Sequence, residues 1–151
     1  MDDNQVKHLE MIQGVVTRLA SNSFAYKGWA IVLVAGIFAL SAKQADYRYL
    51  LVAILPTLAF WGLDAYYLRQ EWLFRKLYDR VRTSSSADWQ SDPFSMNTAA
   101  VADILDGKGR KRTWWYYVRS GTIALLYLPM TSAIIIAAVL AFATQVTHGG
   151  C

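Results

Sequence analysis

The stretch from Tyr49 to Arg82 sets the terms for this chain. An apolar run, Tyr49 to Leu68, passes without a break signal into a charged amphipathic run, Arg69 to Arg82. About 20 predominantly apolar residues let an α-helix cross a hydrocarbon core of about 30 Å. Tyr49 to Leu68 supplies them, with Asp64 as its one charge. The first half reads as lipid-facing helix and the second as the same helix emerging into water by about three turns. Glu71 with Arg75, and Arg75 with Asp79, are spaced for i,i+4 pairs on the emerging part.

Two further apolar blocks accompany it. The first runs from about Phe24 to Ala42, with Lys27 and Trp29 at its inner end; the last runs from about Val118 to Thr144. Hydrophobic residues make up 55% of the chain and aromatics 14%, mean hydropathy is +0.23, and charged residues still hold 17%. Because the apolar residues come in blocks and do not alternate with polar ones, a bilayer is the simpler home for them. The expected fold is all-α: an integral membrane protein with three transmembrane helices, an N-terminal amphipathic helix and a small cytoplasmic helical insert. In sequence order this divides into 1–23, the amphipathic helix; 24–68, a hairpin of two spans; 69–113, the cytoplasmic extension and insert; 114–144, the third span; and 145–151, a polar tail.

In the N-terminal segment Leu9, Ile12, Val16 and Leu19 recur at spacings of three and four. This stripe either lies in the headgroup plane or packs on the other cytoplasmic helices, and Ser21, Asn22 and Ser23 suit a hinge or cap before the first span. Pro56 is expected to bend the second span, and Pro129, beside Thr131 and Ser132, the third. Trp61, Tyr66 and Tyr67, and later Trp114 and Trp115, are expected as interfacial anchors, where amphipathic rings are favoured. Thr83 to Gln90 reads as a mobile polar run, and Thr98 to Leu105 as a short helix stopped by Asp106-Gly107.

Ala35 and Ala39 beside Gly36, and above all the row Ala133, Ala137, Ala141, are candidate helix-contact faces, because small residues at i, i+4, i+8 let backbones approach closely. Topology follows from counting cations. Arg69 to Arg119 holds ten and the tail after Thr144 none, which puts the N-terminus and insert in the cytoplasm and the C-terminus outside. The net charge of +4 is explained by that asymmetry better than by nucleic acid, which is not an expected partner.

The chemistry is sparse. The two histidines, His8 and His148, fall on opposite sides of the expected membrane, and the one cysteine, Cys151, ends the sequence. No phosphate-loop, nucleophile-elbow or zinc-protease pattern occurs, and Gly107-Lys108-Gly109 lacks the spacing of a phosphate loop. No catalytic, cofactor or metal residue is assigned, and an enzyme is not expected. Asp64 alone demands explanation, because an ionised carboxylate inside a span costs about 2.5 to 3.5 kcal/mol. Lys27 and Arg119 stand at the same depth on neighbouring spans, and the planar guanidinium favours Arg119 as partner. A structural ion pair is the simple reading and an ion pathway the sharper one.

Arg18-Leu19-Ala20-Ser21-Asn22-Ser23-Phe24 leading to Lys27-Gly28-Trp29, the run Phe60 to Leu68 with Glu71, and Phe94-Ser95-Met96 together resemble small bacterial membrane proteins. In general architecture these are similar to the SLATT-like and related few-span effectors associated with bacterial antiphage systems. The resemblance implies a bacterial inner membrane and an oligomeric effector or pore that perturbs the bilayer. Two other readings stand beside it: a membrane anchor or adaptor whose cytoplasmic helices recruit a soluble partner, and an accessory subunit of a transporter or channel.

Overall fold

The computed structural model describes residues 2–44, 47–104 and 113–148, and all its regular elements there are helical. They are α1 (Asp3–Gln44), α2 (Tyr47–Val52), α3 (Ile54–Thr83), α4 (Ser86–Gln90), a 3-10 turn (Thr98–Val101), α5 (Trp114–Val118) and α6 (Gly121–His148). Three helical stretches, Asp3–Ala42, Tyr47–Thr83 and Gly121–Thr147, are long and apolar enough to cross a membrane. The expected stop at Leu105-Asp106-Gly107, the basic residues Lys108 to Arg112 and the terminal Cys151 lie outside the described residues.

Three boundaries differ from the sequence reading. First, α1 runs straight through Ser21, Asn22 and Ser23. Serine and asparagine cost only tenths of a kcal/mol each in a helix, and with no proline nearby nothing interrupts the backbone bonds. Second, the stretch Tyr49 to Arg82 is broken at Ala53, between α2 and α3. Pro56 lacks an N–H and its ring excludes the carbonyl four residues back, that of Val52, so the break falls before the proline and not at it. The Ala53 carbonyl is satisfied twice, by the Thr57 amide at 3.3 Å and the Thr57 hydroxyl at 2.7 Å. Third, the expected span from Val118 begins instead at Gly121. Ser120 starts α6 by accepting from the amides of Ile123 and Ala124 at 3.0 and 2.9 Å. By contrast α6 continues through Pro129.

The chain forms two compact units. In the first (Met1–Ser23 with Tyr66–Tyr117), Leu9 and Ile12 of α1 pack with Leu73, Leu77 and Val81 of α3, Trp89 of α4 and Val101. The run expected to be mobile contains α4, capped by Ser85, whose Oγ accepts from the Asp88 amide at 3.2 Å. The expected helix from Thr98 is a single 3-10 turn, with Asn97 as its cap. Glu71 pairs with Arg75 at 2.6 Å, whereas Asp79 takes Lys76 at 3.7 Å and Arg82 at 4.0 Å where Arg75 was expected.

In the second unit (Phe24–Ala65 with Val118–Cys151), each helix buries one stripe: Ala30 and Val34 of α1, Thr57 and Asp64 of α3, and Ile123, Tyr127, Ile134 and Ala138 of α6. Val34, Ala53 and Ile134 form its apolar centre, flanked by Ile37, Phe38, Ile54 and Met130. The opposite faces are apolar and exposed, including Val32, Leu55, Leu125, Ile136 and Leu140.

Candidate functional site

Asp64 lies on the buried stripe of α3, two helical turns past Thr57, and is 0% exposed. Lys27 of α1 delivers Nζ to its Oδ1 at 2.7 Å, with the lysine side chain 24% exposed. A lysine stem can lie along apolar surface while its ammonium reaches a polar end, which suits the edge of a buried helix face. The partner is therefore Lys27 where the sequence reading favoured Arg119. Arg119 is exposed on the turn between α5 and α6, because the chain leaves helical geometry there and does not carry the guanidinium along a span.

Trp61, three residues before Asp64, turns inward and is not an exposed anchor. Its Nε1 donates to the carbonyl of Val118 at 3.0 Å, and its ring stacks on Tyr127 at 5.9 Å with 4° between planes. Val118 ends α5, so its carbonyl has no helical partner ahead, and the indole supplies the missing donor. Trp114 and Trp115 pack edge-to-face at 4.8 Å and are exposed, Trp115 at 67%.

The row Ala133, Ala137, Ala141 is not the packed face of α6 in the protomer. Ala133 is exposed and Ala137 and Ala141 are half-buried; the packed stripe is one residue over, through Ile134 and Ala138. At 100° per residue, side chains on the Ile134 stripe bury more apolar surface than alanines would. Ala35, Gly36 and Ala39 are likewise exposed, with nothing near Gly36.

The first unit holds a polar cluster that sequence reasoning passed over. His8, 1% exposed, accepts at Nδ1 from the indole N–H of Trp89 at 3.0 Å, and its Nε2 lies 3.1 Å from the carbonyl of Ser95. Gln5, one turn earlier and also buried, donates from Nε2 to the Val81 carbonyl at 2.8 Å. The signal was present. Gln5, His8, Leu9 and Ile12 share one helical face, so the polar pair extends the apolar stripe by a turn.

Phe94 closes over this cluster, its ring 5.6 Å from His8 and 5.5 Å from Trp89, with φ at 59° in the left-handed region that phenylalanine rarely occupies. Beside it lies a cavity of about 140 Å³ with His8, Arg80, Asp88, Asp92 and Asn97 in its wall. Among the described residues no group of three or more metal-ligating side chains converges.

Set against known protein families, curated proteins and solved structures, the chain matches none.

Proposed function

We propose that this chain is an oligomeric membrane effector. Its three apolar helices cross a bacterial inner membrane, the first unit faces the cytoplasm, and assembly of several copies perturbs or opens the bilayer. The observation that carries this reading is that α1 and α3 each run unbroken from the polar unit into the apolar one. An event in the polar unit thus has two continuous helices through which to reach the spans. The engaged Asp64 supports assembly over an ion pathway, since its charge is held by Lys27. The exposed Ala133 and its half-buried neighbours Ala137 and Ala141 offer a small-residue surface for a second copy. Bacterial defence is the setting that the resemblance suggests.

Reconstitution tests this. A concentration-stable oligomer in detergent that leaks dye from liposomes is the expected result, and a monomer that leaves liposomes sealed removes the proposal. Orientation is tested separately, with Cys151→Ser as background and single probes Ser85→Cys and Thr147→Cys. External labelling of intact cells should reach only Thr147→Cys.

A second reading, an anchor or adaptor that recruits a soluble partner, is favoured by the polar cavity at His8 and Arg80. Capture of a defined soluble protein by non-leaking proteoliposomes would select it.

A further inference from the structure

We infer that His8 is an acid-sensitive latch, which holds α4 and the Phe94 turn against α1 while neutral and releases them when protonated. The inference concerns the first unit alone and requires neither membrane insertion nor pore formation.

The hydrogen bonds fix the charge state. An indole N–H only donates, so Nδ1 of His8, 3.0 Å from Trp89 Nε1, must carry a lone pair. A backbone carbonyl only accepts, so Nε2, 3.1 Å from the Ser95 oxygen, must carry the hydrogen. Both ring nitrogens are thereby assigned, and the imidazole is neutral in one tautomer. A proton taken from water has only Nδ1 to occupy. There it faces the indole N–H, which has no lone pair to offer, and the contact turns from attractive to repulsive. At 1% exposure the new charge also lacks water to solvate it.

The neighbouring charges do not supply a substitute acceptor at Nδ1, because Trp89 occupies that position. Arg80 of α3, in the cavity wall, opposes a second positive charge; Asp88 of α4 and Asp92 of the following turn, in the same wall, attract one. Lys7 and Glu10 of α1 are exposed, and Glu10 lines a separate groove with Tyr78 and Arg82 of α3. The carboxylates therefore favour an imidazolium that has swung out toward them, and what they stabilise is the open arrangement.

The released segment is already strained. Phe94 at a φ of 59° is held in place by its ring contacts with His8 and Trp89. Loss of the Trp89 bond removes the support for that backbone. It also withdraws Trp89 from the buried cluster it forms with Leu9, Ile12, Leu77 and Val101.

The test uses the full chain in detergent, with the Trp89 indole N–H signal assigned by loss in Trp89→Phe. Between about pH 7.5 and about pH 5, indole hydrogen exchange should become at least about tenfold faster, after correction for intrinsic pH dependence. His8→Gln, whose amide offers an acceptor and a donor but does not titrate, should abolish the acceleration. In parallel, ring nitrogen shifts of His8, read in a His148→Gln background, should show a lone-pair Nδ1 at the higher pH. That lone pair should be lost as Trp89 is released, a measurement that stands even if His8→Gln fails to fold. Equal Trp89 protection at both pH values overturns the latch. So does the same acceleration in His8→Gln, which would assign the response to the carboxylates of Asp88 and Asp92.

Discussion

Lys27 and Asp64 meet across α1 and α3 with unequal exposure: Nζ stands 2.7 Å from Oδ1, the lysine keeps 24% of its side-chain surface open, and the aspartate keeps none. The two ends of one ion pair thus have different alternatives if the other is lost.

Lys27→Gln should therefore destabilise more than Asp64→Asn. The first takes the ammonium away from a fully buried carboxylate, at about 3 to 5 kcal/mol, whereas the second leaves an ammonium that can turn toward its open side. The double variant should lose less than the sum of the two, and Arg119→Gln should change little. Unfolding in graded SDS, read as a double-mutant cycle, checks all four; additive losses would show that the pair is not coupled.

Trp61 makes two separable contributions. Trp61→Phe keeps a ring against Tyr127 but removes the donor to the Val118 carbonyl, for an expected loss of about 1 to 2 kcal/mol. Trp61→Ala removes the packing as well and should cost about 3 to 5 kcal/mol. Equal losses in the two variants, by the same unfolding assay, would mean that the hydrogen bond and not the ring carries the effect.

Ala133 and Ala138 separate folding from assembly. Ala138 is buried within the protomer, so Ala138→Leu should cost about 1 to 3 kcal/mol by overpacking. Ala133 is exposed, so Ala133→Leu should leave protomer stability unchanged and, if copies meet there as proposed, reduce the oligomer mass measured by light scattering. An unchanged mass would move the assembly surface elsewhere.

The second apolar stretch offers a backbone test. Thr57→Val deletes the hydroxyl bond to the Ala53 carbonyl and should cost about 1 kcal/mol. Pro56→Ala restores an amide able to reach the Val52 carbonyl, and should slow hydrogen exchange around 53–57 as α2 and α3 join. Unchanged exchange would show that Pro56 does not cause the break.

The apolar blocks were legible because about 20 apolar residues in succession have few other uses, and the three long helices follow from them. What the sequence hid were places where one element completes another. Trp61 reads as an interfacial ring until Val118, 57 positions later, is seen to end a helix and need a donor. Arg119 reads as the better partner for Asp64 until the Ser120-Gly121 start of α6 puts it on a turn. His8 reads as an isolated histidine, on the opposite side of the expected membrane from His148, until the fold shows a core residue whose partners come from 81 and 87 positions away. Pro56 announced a bend, but its steric effect acts on the carbonyl four residues earlier, and that offset moved the break to Ala53.

Ala53 is also where three helices converge, 0% exposed and in one cluster with Val34 of α1 and Ile134 of α6. On one side of it, α2 is held to α6, with Tyr47 edge-on to Phe142 at 5.3 Å. On the other, α3 is held to α1 by the Lys27–Asp64 pair. The two parts of the second apolar stretch are thus held separately on either side of Ala53: α2 by the last helix, and α3 both by the last helix, through Trp61 and Tyr127, and by the first.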